Sequence, residues 1–414
     1  MKYLIVGGGI SGLSIANLLN EAGNDVVVFE KDSRPGGMIK CDVVNGCLFH
    51  RTGGHVFNTK NDDVLNWFWK YFDEENEFVN AVRNSSVLME NGNLIPYPIE
   101  NHGYCLDKDT QISFISDLVN IAKQGRYSPK NFEEFLQNRF GRTLYELYFH
   151  PYNYKVWRKD LSDVPLSWLD GKLPMPTVEE IIYNNFNHVE ERTFVHSSFF
   201  YPKKGGSQLI ANRLSERITI KYNSNVLCIE KKKQAWIING IEGDRVIFCG
   251  NIKHLPTLLK GDEGIYSFVK DIDDLESHGT TTVFCEIDKN PYSWLYLPSR
   301  KYEPHRIICT GNFSPNNNSF RKMTGSIEFT DFFSKEDILN NLKNMPLSPS
   351  YLTHHFEKYT YPIQKKGTRD LINGVKAHLE PLGMYILGRF AEWEYYNMDV
   401  AMGAAIKLSS RLHQ

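Results

Sequence analysis

The stretch MKYLIVGGGISGLSIANLLNEAGNDVVVFEKDSRPGG at the start of the chain constrains the fold more than any other part of it. An apolar run from Tyr3 to Val6 enters a glycine turn, an amphipathic segment follows, and a second apolar run from Asp25 to Phe29 ends at Glu30. This order predicts a βαβ unit with a dinucleotide bound inside it. Gly7 makes the tight turn, Gly9 lets the backbone approach a pyrophosphate, and Gly12 lets the helix lie close on the strand. Helix N-terminal amides, among them that of Ser11, then face the phosphates. Glu30 stands where a carboxylate accepts hydrogen bonds from an adenosine ribose, with Lys31 beside it.

Just past that acid, Arg34, Gly36 and Gly37 form an RxGG element. It is similar to the pattern of glutathione-reductase-like FAD proteins, and the resemblance favours FAD over NAD. Further on, the Gly53-Gly54 turn returns the chain to the flavin's edge, and His55 directly after it can approach the ring system or simply pack in the turn.

With 414 residues, 41% of them hydrophobic, the chain can bury large cores, and its length suggests two or three domains. A net charge of -2 gives no electrostatic footprint for nucleic acid. No apolar run approaches bilayer length, so no membrane span is expected and the chain reads as cytoplasmic. Its seven cysteines are scattered without a CxxC and read as reduced thiols, and no Cys/His cluster has metal-site spacing, so no metal is expected.

In chain order, a hairpin is expected over 87–101 around Asn91-Gly92, and helices over 111–124, 131–148 and 177–187. The segment HPYNYKVWRKDLSDVPLSW, rich in aromatics and prolines, reads as a loop lining a cleft. A helix starts near Ser207, successive strands follow, and the strand 244–249 rejoins the nucleotide-binding sheet. Strands over 281–287, 294–297, 306–310 and 326–329 suggest an antiparallel substrate sheet. The chain closes with a strand, Gly388-Arg389, an aromatic loop and a helix capped by Asn397. Beginning near Met398, that helix points its positive end at the flavin's pyrimidine edge or merely packs on the first βαβ unit.

The expected fold class is α/β: a Rossmann FAD domain (1–86, 203–260 and 366–414), an inserted helical domain (104–190) and an antiparallel β-sheet substrate domain (87–103, 191–202 and 261–365). The expected cofactor contacts are those already named, together with Val226.

With these segments placed, the sequence resembles the UDP-galactopyranose mutase family over nearly its whole length. GGHVFNT looks like the family's GPHIFHT, with His55 on the first histidine and Asn58 in place of the second. YNYKVW is similar to a YxxKxW pattern, which implies that Tyr152 and Trp157 are substrate aromatics. YTYPIQKK resembles the YYPV segment and brings in Tyr361, while GRFAEWEYYNMD is similar to GRLGTYxYLDM and brings in Arg389 and Tyr395. HRIICTGNF looks like the strand whose arginine, here Arg306, clamps the substrate diphosphate. Departures include Phe329 where the family has a phenol, Trp393 for a tyrosine and Asn397 for an aspartate. Arg192 is the nearest candidate for a second clamping arginine.

The resemblance implies a flavin-dependent isomerase that interconverts pyranose and furanose forms of a nucleotide-linked sugar through attack of reduced FAD on the anomeric carbon. Its catalytic set is His55, Arg306, Tyr361 and Tyr395, and its substrate set Tyr152, Trp157, Arg192, Phe329 and Trp393. The implied partner is a UDP- or dTDP-linked hexose from polysaccharide biosynthesis, with a homodimer left open. The alternative is an FAD-dependent amine oxidase or protoporphyrinogen oxidase-like oxidoreductase, and a flavin-binding protein without catalysis is a third reading.

Overall fold

In the computed structural model, the described residues are all except 126, 167–175, 190–197, 234, 320–321 and 414. Five parallel strands form the nucleotide-binding sheet, in the order Met384–Ile386, Arg245–Phe248, Lys2–Val6 (β1), Asp25–Phe29 (β2) and Thr219–Lys221. β1 is central because it is apolar on both faces: Leu4 and Val6 enter one core cluster, Tyr3 and Ile5 the other. The strand Arg245–Phe248 pairs with β1 from Tyr3↔Arg245 to Val6↔Phe248, as its sequence suggests.

Helix Ile10–Glu21 (α1) packs through Ile15, Ala16 and Leu19 against Ala405 and Leu408 of the closing helix Met398–Leu412. The tightness of the first turn is visible at Gly12, where a Cβ would stand 2.0 Å from the Gly7 carbonyl oxygen. Gly388, at φ +107°, is also closely approached, since a Cβ there would meet the Ser11 hydroxyl at 2.7 Å. The end of the last parallel strand therefore abuts the first turn of α1, although 377 positions separate Ser11 from Gly388 in the sequence.

A seven-stranded sheet runs in the order Ser350–Ile363, Glu276–Ile287, Met323–Thr330, Arg306–Ile308, Trp294–Tyr296, Ser85–Leu88, Leu94–Pro96. It is antiparallel except for one junction, because Trp294–Tyr296 pairs in parallel with Ser85–Leu88. Those two strands are some two hundred residues apart, so no tight turn dictates their relative direction. The hairpin expected around Asn91-Gly92 forms from Ser86↔Pro96 to Leu88↔Leu94.

The helices Lys108–Gln124, Phe132–Leu144 and Val178–Asn187 match the periodic segments. Their N-termini carry the expected chemistry, as Asp107, Asn131 and Thr177 each accept an amide hydrogen bond from the first turn. Two expectations need correction. The aromatic segment read as a loop is helical over His150–Trp157, with Pro151 in the first turn, where its missing N–H costs nothing. Asn397 occupies the N-cap of the closing helix, yet its side chain accepts no capping bond. Among the described residues, no helix is long and apolar enough to cross a membrane, and no group of three or more His, Cys, Asp or Glu could hold a metal ion. All seven cysteines are free thiols.

Candidate active site

The glycine turn is shaped for a ligand. The Gly8 amide donates to Oε2 of Glu30 at 2.7 Å, and the Asp32 amide donates to Oε1 at 3.0 Å. A carboxylate has about four lone-pair sites, so the buried Glu30 keeps acceptor capacity for a ribose. Gly9 and Gly36 form a bridge, and a Cβ added to Gly9 would meet nothing closer than the Gly37 Cα at 3.9 Å. α1 starts at Gly9 without a side-chain cap, which leaves its first amides free to meet phosphate oxygens. This cradle fits a dinucleotide. Val226 lies in a segment drawn alongside, where the Ser224 amide donates to the Glu30 carbonyl at 2.9 Å, whereas Lys31 is exposed.

From the cradle, contacts lead continuously to the seven-stranded sheet. Met38, next to the RxGG glycines, places its sulfur 3.8 Å from an Arg389 guanidinium nitrogen. Arg389 donates to the carbonyls of Thr360 and Tyr396, and its guanidinium stands 4.6 Å from the centre of the Tyr395 ring. Tyr395 stacks on Tyr361 with centroids 5.8 Å apart, and Arg306 donates to the Tyr361 hydroxyl at 3.3 Å. Arg306 also pairs with Glu328, which faces it across the register of adjacent strands. Glu328 in turn accepts from the Gly53 amide at 2.6 Å and so pins the turn that carries His55. Gly54 presses that turn onto the sheet, since a Cβ there would meet Ile308 at 2.8 Å. His55, Arg389, Tyr395, Tyr361 and Arg306 thus form one cluster.

Burial by itself would raise the Glu328 carboxyl, but Arg306 and His305 outweigh it and hold the group well below the ordinary carboxylate range. Burial pushes the Tyr361 phenol well up, so it remains a hydrogen-bond donor at neutral pH. His55 falls to about 3, first through burial and then through the neighbouring His50, Arg389 and Arg306, with Glu328 opposing. A neutral imidazole can orient a cofactor through one hydrogen bond, but near pH 7 it carries no second ring proton and no charge. Its Nε2 is buried and has no hydrogen-bond partner among the described residues, as fits a group that meets the cofactor.

His50 lies beneath, bonded to the Tyr201 hydroxyl at 2.8 Å and lowered to about 4 by burial, with Glu328 opposing. The folded state then binds fewer protons than the unfolded chain between about pH 6.5 and 4, so stability falls on acidification through that window. For His50 alone the loss approaches about 3 kcal/mol. The melting temperature is expected to drop between pH 6.5 and 4, and His50→Asn to drop less; equal slopes would refute the assignment.

Tyr152 projects from helix His150–Trp157 against Tyr296, at 5.3 Å, and His305, at 6.3 Å, beside Arg306. Three of the expected substrate aromatics are buried. Phe329 is 0% exposed and packs on Phe333, because period-2 alternation turns it to the face opposite Glu328, among Ile327, Ile307 and Val283. Trp393 is also 0% exposed, donates to the Ile363 carbonyl at 3.2 Å and belongs to the core with Val375 and Leu379. Trp157 is 5% exposed within the helical core, where packing covers its ring. Met398 is buried at the start of the closing helix, next to Asn397. Arg192 lies outside the described residues.

Sequence reasoning missed Glu328 as a partner of Arg306. It also missed Arg83, whose guanidinium bonds the Tyr296 hydroxyl and lies 4.7 Å from the Trp294 ring centre. The one available signal for Glu328 was strand pairing, which places it opposite Arg306.

The family model for NAD(P)-binding Rossmann-like domains matches residues 5–74. A UDP-galactopyranose mutase of Mycoplasma genitalium is 24% identical, over 99% of this chain and 94% of its own length. The chain is similar to UDP-galactopyranose mutases over nearly its whole length. A dTDP-fucopyranose mutase of Escherichia coli is likewise 24% identical, with 98% of this chain and 97% of that protein covered. A crystal structure of reduced UDP-galactopyranose mutase shares the fold at a TM-score of 0.87 and 21% identity, covering 100% of this chain and 95% of the other. The mixed α/β architecture with a nucleotide-binding sheet is thus common to these proteins.

Proposed function

We propose that the chain is a flavin-dependent isomerase that interconverts the pyranose and furanose forms of a UDP- or dTDP-linked hexose. The observation that carries this reading is the unbroken line of contacts from the dinucleotide cradle through Arg389, Tyr395 and Tyr361 to Arg306. The mutase names of full-length relatives, one UDP-linked and one dTDP-linked, support the substrate class.

Glu30 would hold the adenosine ribose of FAD, the α1 terminus with Gly9 and Gly37 its pyrophosphate, and His55 and Arg389 the flanks of its ring. When bound and reduced, FAD supplies the nucleophile and the negative charge that this chemistry needs. The N-terminus of the helix Met398–Leu412 would favour that charge through its partial positive end.

A diphosphate gathers negative charge as it leaves the sugar, and a guanidinium meets such oxygens in a planar fork. Arg306 is held ready for this by Glu328, and the Tyr361 hydroxyl, which accepts from Arg306, would give its own proton to a hydrogen bond with the diphosphate. Tyr395 lies between Tyr361 and Arg389 and thereby joins the diphosphate side to the cofactor side. Tyr152, kept protonated by burial, offers an aromatic face and a hydroxyl to the nucleotide.

The test is direct. Purified FAD-loaded protein is expected to convert a UDP- or dTDP-linked hexose into its furanose isomer only after chemical reduction, as read by chromatography of the nucleotide sugars. Peroxide release with an amine, and no isomerisation, would overturn the reading in favour of an oxidase.

A further inference from the structure

Lys155 lies between Tyr152 and Trp157 on helix His150–Trp157, and its side chain is buried. Every hydrogen-bond partner of its ammonium is a backbone carbonyl of one turn: Leu297 and Ser299 at 2.7 Å each, Tyr302, and Pro304 at 3.4 Å. Convergence of four carbonyls on one point is the coordination that a monovalent cation receives in a protein. Burial lowers the ammonium to about 8, with Glu303 opposing, so the charge persists at neutral pH.

The turn connects the strands Trp294–Tyr296 and Arg306–Ile308, and it leads directly into His305 and Arg306. The Leu297 amide donates to the His305 carbonyl at 2.9 Å, closing the hairpin immediately behind Arg306. A second tie comes from Arg158, which ends the helix in a left-handed conformation and pairs with Glu303 at 2.7 Å. That outer pair is partly exposed and worth little. Lys155 is the inner tie, and it has no other evident task.

We propose that Lys155 is a positioning residue: its ammonium acts as an internal cation that gathers the 297–304 turn and thereby fixes Arg306 for an anionic ligand. The role of Arg306 toward a diphosphate rests on the function proposed above, whereas the ordering of the turn by Lys155 does not.

The test uses FAD-loaded protein and inorganic pyrophosphate as the probe. Lys155→Met keeps the apolar stem and removes the charge. With flavin absorbance unchanged, hydrogen exchange across 297–308 is expected to quicken about tenfold and pyrophosphate affinity to fall about tenfold, the scale of one lost charged hydrogen bond. The KM for a nucleotide sugar is expected to rise with that affinity loss while kcat changes less. Arg306→Ala combined with Lys155→Met is expected to bind pyrophosphate no more weakly than Arg306→Ala alone. In Lys155→Ala, ammonium or potassium ions are expected to restore part of the lost affinity. Should neither variant hold flavin, Lys155→Arg keeps the charge but replaces a point donor with a planar fork, and the same exchange and affinity shifts are expected.

Unchanged exchange over 297–308 overturns the proposal, and so does an affinity loss that adds to that of Arg306→Ala. Both shifts in a protein that isomerises no nucleotide sugar would uphold Lys155 and refute only the reaction.

Discussion

Arg306→Ala is expected to lose about 10²–10³ in turnover, the scale of removing one preorganised donor from a developing anion, while flavin content stays at the wild-type level. The split follows from what Arg306 touches. Its side chain is 19% exposed, meets Glu328 and the Tyr361 hydroxyl, and makes no hydrogen bond to the glycine cradle or to Glu30. Arg306→Lys should recover little, because a single ammonium cannot span the carboxylate, the phenol and a diphosphate as a fork does. Flavin absorbance per chain and the rate with reduced protein decide the matter. A variant isolated without flavin would place Arg306 in the cofactor site instead, and one with undiminished turnover would remove it from the chemistry.

Glu328→Gln is expected to lower both stability and turnover. The carboxylate is 1% exposed and pairs with Arg306 while also accepting from the Gly53 amide. An amide of the same shape leaves the buried guanidinium without a counter-charge, which costs about 3–5 kcal/mol, and a fall in melting temperature on the order of 5 °C should be seen at neutral pH. Because folding depresses the Glu328 carboxyl, its contribution is complete above the ordinary carboxylate range and is lost as pH falls below that range. The gap between wild type and variant should therefore narrow on acidification, after the His50 component has been subtracted. A gap that widens in acid would show that Glu328 is protonated in the folded protein.

The parallel sheet was readable at the level of residues because its determinants are contiguous. Gly7, Gly12, the two apolar runs and Glu30 belong to one βαβ unit, and each has a single conformational use. The strand Ser350–Ile363 was not readable as a strand, and its Tyr361 was picked out only by motif resemblance. Most of its residues are half-buried on both faces, so apolar and polar positions do not alternate and the period-2 signal vanishes. The segment His150–Trp157 misled for a different reason: its aromatics do not keep to one face, since Trp157 is buried and Tyr154 exposed, and Pro151 looks like a breaker until it is placed in the first turn.

Among site residues, Arg306, Tyr361, Tyr395 and Arg389 are brought into one cluster, whereas Phe329 and Trp393 are turned into cores. Motif alignment gives a position in the chain but not the face of the strand on which its side chain lies. For Phe329 the neighbour, Glu328, holds the face that meets Arg306, and one step along the strand reverses the direction.

By itself, then, the sequence determined that this chain builds a dinucleotide cradle, because the turn, the helix terminus and the placement of the Glu30 carboxylate are local consequences of residues 7–37. Only the tertiary structure decided which distant side chains complete the site. The pairing of Arg306 with Glu328, the tie from Glu328 to Gly53 and the gathering of the 297–304 turn by Lys155 depend on strand register and helix docking. Those are set by burial of whole faces across hundreds of residues, and no local pattern encodes them.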